Sequence, residues 1–266
     1  MIDPFWLLFA AKLALTAGIV VTASLLVERS GPLLAAMIAT LPISAGPAYV
    51  FLAMEHDSGF VSGSALASLA INAATAVFLT LYSLLARSHR LAVSLPLGLL
   101  GWAAAAFAIS RVDWSLPGAA ALNLTVFAAC LPLALRRLAG APPVRAPGRR
   151  WDIPVRTAAV MALIAAVLLI GRALGPAAAG FAALAPVVTG SLALLLQPRI
   201  GGPATAAVFA NALIGMVGYV PALALLHLAA PPLGSAAALG LGLAACVCWN
   251  AAMLALRSRK AAPGRP

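Results

Sequence analysis

The sequence predicts an all-α polytopic integral membrane protein, and three observations carry that prediction. Of its 266 residues, 64% are apolar and only 9% are charged, with a mean hydropathy of +1.06; a soluble domain runs nearer roughly 45–50% apolar and 25% charged. Charged residues cut the chain into nine apolar runs, most of them about 19–27 residues, enough to cross a ~30 Å hydrocarbon core with some tilt. The runs are continuous and lack the alternation of lipid-facing barrel strands, so they read as helices. Soluble, disordered and collagen-like chains are excluded.

Taken in order, the first run, 5–27, is too long and too sparsely basic at its start for a cleaved signal peptide, and no small-residue cleavage site closes it. Runs 32–54 and 60–86 are separated by a short acidic turn holding Glu55 and Asp57. Run 91–110 follows Arg87 and Arg90, and run 117–135 lies between Asp113 and Arg136. The segment RRLAGAPPVRAPGRRWD (136–152) is the one obvious linker. After it come 155–172, 176–197, 203–228 and 234–256. The run 155–172, held between Arg156 and Arg172, is the weakest, so a short or partly re-entrant segment stays open there. The chain divides into a first membrane unit (1–138, spans 1–5), a Pro/Arg-rich cytoplasmic linker (139–154), a second membrane unit (155–256, spans 6–9) and a basic cytoplasmic tail (257–266).

Net charge is +11, but the cations punctuate apolar runs and form no aqueous basic face, so nucleic acid is not the expected partner. The bilayer is. Alternate loops hold very unequal shares: Arg29, Arg87, Arg90, the arginines around the linker, Arg199 and the C-terminal cluster make fourteen, against Arg111 and Arg172. That bias places the N-terminus outside and the C-terminus in the cytoplasm of a bacterial inner (plasma) membrane, and supports an odd number of spans.

The most informative pattern is internal. Residues 31–52 (GPLLAAMIATLPISAGPAYVFL) and 175–196 (GPAAAGFAALAPVVTGSLALLL) align without gaps, pairing Gly31 with Gly175, Pro32 with Pro176, Pro42 with Pro186 and Gly46 with Gly190. Further on, SLAIN (68–72) lies over AVFAN (207–211), pairing Asn72 with Asn211. Five spans separate the copies, so they are inverted, as in secondary transporters whose two halves supply inward- and outward-facing states. Pro42 and Pro186 each lie ten residues into their spans, about 15 Å deep and near the bilayer midplane. A helix-interior proline removes one backbone hydrogen bond, and freed backbone groups persist in a membrane only against protein or a cavity. The pair therefore reads as two discontinuous helices around one site, or as two ordinary packing kinks.

Polar side chains inside the spans are few. All six acids sit at loop or boundary positions, which argues against a carboxylate relay across the midplane. Asn72 and Asn211 lie near the midplane, as substrate contacts or as interhelical hydrogen bonds. Thr40, Ser44 and Thr189 flank the prolines and offer hydroxyls. Lys12 is the one full charge inside a span, snorkelling to the outer interface or facing a substrate path; the repeat offset lays it over Arg156. Asn123, His227, Trp249 and Asn250, near span ends, read as interface or packing residues. Cys130, Cys246 and Cys248 lie in apolar stretches, so neither a disulfide framework nor a metal site is indicated. No catalytic or nucleotide-binding motif appears in a usable context, and no cofactor or enzyme activity is expected.

The run from Ala10 to about Ile109, centred on LLAAMIATLPISAGPAYVFLAMEHDSG, resembles the small four-helix GlpM-like membrane proteins, with a proline-containing second helix, a short polar loop and a small-residue third helix. The resemblance implies two such units, the second over about 155–256, with one extra span between them. It implies no defined chemistry. The expected function is secondary transport of a small anionic or zwitterionic solute by alternating access around paired broken helices. The expected binding residues are Lys12, Thr40, Pro42, Ser44, Gly46, Asn72, Pro186, Thr189, Gly190 and Asn211. A homo-oligomer is open, and the competing class is a non-transporting subunit or assembly factor that binds other membrane proteins through small-residue helices.

Overall fold

The computed structural model describes residues 4–29, 45–136 and 151–261. Among these every regular element is a helix: α1 (Pro4–Arg29), α2 (Ala45–Glu55), α3 (Ser58–Leu85), α4 (Leu91–Ser110), α5 (Leu116–Arg136), α6 (Asp152–Leu174), α7 (Pro176–Ala183), α8 (Val187–Ile200), α9 (Gly202–Val217), α10 (Tyr219–Leu233) and α11 (Ser235–Ala261). Seven helical stretches are long and apolar enough to cross a membrane: α3, α4, α5, α6, the α7–α8 stretch, the α9–α10 stretch and α11. The run 155–172, expected to be the weakest and open to a re-entrant reading, lies within α6, an uninterrupted helix of 23 residues. Of the run 32–54 only the part from Ala45 falls within the described residues, and most of the linker 139–154 lies outside them.

Helix boundaries follow local chemistry. Asp57, in extended geometry, accepts the Phe60 amide and caps the start of α3, satisfying one of the donors a first turn leaves open. Gly175 ends α6 at φ +85° and Pro176 opens α7 at the first helical position. Only glycine takes that backbone cheaply, and proline loses nothing where the amide has no helical acceptor.

The helix α3 is the hub. Of its membrane-length window 83% is buried, against 17% for α4 and for α11, and it packs on α4, α5, α7, α9 and α10. Further out, α10 packs on α11, α1 on α6, α4 on α8 and α2 on α11. Small residues set these approaches. A Cβ on Gly180 of α7 would lie 2.2 Å from the Ser64 carbonyl oxygen, and one on Gly98 of α4 would meet the Phe78 ring at 3.2 Å. Without a hydrophobic drive between helices in lipid, such close backbone approach is what gives them packing energy. Exposed Leu97, Leu100 and Phe107 on α4, and Leu241 and Leu243 on α11, are suited to contact with lipid acyl chains rather than water.

Candidate functional site

The buried face of α3 carries a row of small polar side chains: Ser64, Ser68, Asn72 and Thr75. Their spacing of four, four and three puts them on one side of a helix. Asn72 lies about 21 Å from the helix start at 1.5 Å per residue, in its middle turns. Hydrocarbon cannot satisfy these groups, so their partners define what α3 faces.

The partners are the interruptions in neighbouring helices. The α7–α8 stretch breaks at 184–186, with Pro186 immediately before Val187 at φ −77°, ψ 41°. Proline supplies no amide hydrogen, and the ladder across the break shrinks to short-range bonds from Ala185 to Ala182 O and from Val187 to Ala185 O. Thr75 Oγ1 donates to Leu184 O at 2.9 Å. Two turns earlier, Ser68 Oγ donates to Gly180 O at 2.7 Å and accepts from the Tyr49 hydroxyl at 2.7 Å. The second interruption, at Gly218 between α9 and α10, receives Asn72: its Nδ2 donates to Asn123 Oδ1 at 2.8 Å and more weakly to Met216 O at 3.4 Å. From the far side, Trp249 Nε1 donates to Ile214 O at 3.1 Å, its ring pressed on Gly218 where a Cβ would lie 2.5 Å away.

Two polar atoms in this row have no partner among the described residues: Asn72 Oδ1 and Ser64 Oγ. Asn72 cannot flip to remedy this, because both of its Nδ2 partners are acceptors. Every buried polar side chain of the described residues is a neutral hydroxyl or amide. The interruption at Pro186 also starts α8 within the membrane-length stretch, with no side chain capping its first turn, so the positive end of that helix opens onto the break.

The expected residues distribute unevenly over this arrangement. Thr40, Pro42 and Ser44 lie outside the described residues. Pro186 makes the break, Thr189 Oγ1 bonds back to Pro186 O at 3.3 Å, and Gly190 is buried with only Leu95 within 4.0 Å of its would-be Cβ. Asn72 is fully buried, whereas Asn211 is exposed and donates to Ala207 O of its own helix at 2.8 Å. The structure thus joins Asn72 to Asn123 and not to Asn211. Asn123, read from sequence as a packing residue, is buried and holds Leu69 O and Ala119 O through its Nδ2.

Lys12 forms an ion pair with Glu55, both side chains largely shielded, and its ammonium lies 5.9 Å from the centre of the Phe51 ring. Glu55 ends α2, so a boundary acid meets a charge from inside the first run, which sequence spacing alone could not show. Gly46 lines an apolar cavity of about 400 Å³ between α1, α2, α10 and α11, with Tyr49 and Tyr219 in its wall. Ser64, Ser68 and Thr75 were missed in the sequence, where their helical spacing with Asn72 was the available signal; Tyr49, on α2, shares no such spacing with them.

Comparison of the chain with protein-family profiles, curated proteins and solved structures gives no match.

Proposed function

We propose that this chain is a nine-span inner-membrane secondary transporter, built on an inverted repeat and carrying a small anionic or zwitterionic solute past α3. The observation that carries the reading is the polar row of α3 facing two helix interruptions at mid-helix depth, with an amide oxygen and a hydroxyl left over. Irregular backbone inside a membrane is tolerated where it lines a substrate path, and half-helix starts favour anionic groups. Buried polar atoms without partners are costly, about 1–3 kcal/mol each, and persist where a ligand or water completes them.

The neighbour pattern supports the repeat. If spans 1–4 correspond to spans 6–9, α3 on α4 corresponds to α10 on α11, and α4 on α8 to α11 on α2. Two further contacts, α1 with α6 and α3 with α9–α10, map onto themselves, whereas the packing of α7 on α3 and of α2 on α6 has no strong counterpart. The two halves are not in the same state. Between α1, α2, α10 and α11 the bundle opens into the apolar cavity, while the related elements α3, α4 and α8 are drawn together by Gln197, which accepts from Tyr82 at 2.7 Å and Ser94 at 3.2 Å. An open half opposite a closed one is what alternating access requires. With the arginine-rich loops cytoplasmic, the cavity lies in the outer half.

The test is a thermal-shift screen of small carboxylates, amino acids and inorganic anions on the purified chain, followed by flux of any stabilising solute in proteoliposomes. A ligand that binds only the folded state raises the unfolding midpoint by mass action. Asn72→Leu by itself is a poor probe, because it strands Asn123 Oδ1; the double variant Asn72→Leu/Asn123→Leu removes both partners. It should fold near wild-type stability and lose flux. A chain that binds and moves no solute while co-purifying stoichiometrically with another membrane protein would replace this reading with the subunit or assembly-factor one.

A further inference from the structure

A second, open cavity of about 430 Å³, lined by charged and polar residues among apolar ones, lies at one end of the bundle, away from the α3 row. Its walls are the α3–α4 loop, with Arg87, Ser88, His89 and Arg90, and the α8–α9 turn, with Gln197 and Gly202. The four loop side chains are exposed. Gln197 is not: it is 7% exposed and forms the floor. Its Oε1 is filled by Tyr82 and Ser94. Its Nε2 donates to His89 O at 3.0 Å, which uses one of two amide hydrogens. Among the described residues that nitrogen has this one acceptor, which leaves its second hydrogen uncommitted in a side chain that lines the cavity.

The charges around this floor are unbalanced. Arg199, two residues beyond Gln197, is neutralised by Asp152 through both carboxylate oxygens at 2.7 Å. Arg87 and Arg90 have no acidic partner among the described residues. The rim is fixed in place: a Cβ on Gly202 would lie 1.8 Å from Ala86 O, so the start of α9 is docked against the end of α3. Leu91 and Gly202, at the starts of α4 and α9 where no side chain caps the turn, line the same cavity, and their amides have no acceptor within their own helices.

We propose that this cavity is a binding site for a phosphate-bearing anion. Two guanidinium forks match the oxygens of a phosphate group and bind it bidentately. A buried neutral donor on the floor fixes its position, which free surface arginines would not do. The location at a membrane-helix end suits a phospholipid headgroup, since basic hollows between such helices take anionic lipid. A soluble phosphate ester would offer the same chemistry. None of its residues belongs to the α3 row, but Gln197 also ties the closed half of the bundle together, so the probe variant is confined to Arg87 and Arg90.

The full-length chain in nanodiscs tests it. Retention of phosphatidylglycerol against phosphatidylcholine is read by native mass spectrometry, and the unfolding midpoint is followed with millimolar glycerol phosphate. The probe variant is Arg87→Gln/Arg90→Gln; the control is Arg257→Gln/Arg259→Gln, which removes the same charge from the C-terminal cluster. For a headgroup site, the probe variant retains phosphatidylglycerol about 10-fold less than wild type while the control does not, at about one order of magnitude for two interfacial arginines. For a soluble ester, glycerol phosphate raises the wild-type and control midpoints and leaves the probe variant unmoved. Equal losses in probe and control, or no effect of either ligand on wild type, would overturn the site.

Discussion

The two interruptions that flank α3 each involve a proline but differ in what else holds them. At 184–186 the chain breaks itself: Pro186 cannot donate, and the hydroxyl of Thr75 takes the Leu184 carbonyl that the turn leaves available. At Gly218 nothing in the backbone geometry forbids a helix, since φ −66° and ψ −20° are helical values. There the neighbour α11 drives the Trp249 indole against the one residue with no side chain and takes the Ile214 carbonyl with its ring nitrogen. Pro221, three residues on, removes a further donor from the same stretch. The first break is covalent in origin and survives any change of neighbours. The second joins a covalent cause, the missing Pro221 amide opposite the Val217 carbonyl, to a partner, and removing the partner should relieve the pressure on Gly218 without restoring that hydrogen bond.

Gly180→Ala should produce the largest effect, because the new Cβ would meet a backbone oxygen that cannot move aside. Overpacking of this kind costs about 1–3 kcal/mol or more, read as a fall in the unfolding midpoint of the purified chain. An unchanged midpoint would mean that the segment before Pro186 is not docked on α3.

Next in size is a reversal of sign at the second break. Gly218→Ala in the wild-type chain should destabilise, since its Cβ would sit inside the indole. In a Trp249→Ala background the same change should stabilise by about 1 kcal/mol, the helix preference of alanine over glycine. Additive effects in that double-mutant cycle would show that Trp249 does not hold the break open.

Pro186→Ala should restore an amide and let α7 and α8 join, raising the midpoint while slowing any solute flux. Faster flux in the joined helix would remove the break from the proposed site. The smallest effect belongs to Thr75→Val, which loses one hydrogen bond to Leu184 O. Interhelical bonds of this kind average about 0.6 kcal/mol in membranes, so the shift should be resolvable only in a background where the break remains.

The span pattern was legible because it depends on one-dimensional quantities. Run length against bilayer thickness set the helices, and charged residues set their ends: run 91–110 coincides with α4, and 60–86 with α3 to within two residues. The Pro186 break was legible for the same reason, since a missing amide is a property of the residue itself. What the notation of runs could not show was the partner of any polar group. Asn72 and Asn211 align in the repeat, yet alignment fixes depth and not azimuth around the helix. The azimuth turns Asn72 inward to Asn123 and Asn211 outward on α9.

Lys12 shows the same division. Its position inside an apolar run was plain, and its neutralisation by Glu55 was not, because 43 residues separate the pair. Composition, run length and the prolines by themselves determined that this chain is helical, suited to the bilayer and broken at Pro186. Only the tertiary structure decided which polar groups face one another, which helix became the hub and that Gly218 yields to Trp249. The physical reason is that lipid treats every apolar helix face alike, so the choice among them falls to close backbone approach and a few hydrogen bonds between residues far apart in the chain.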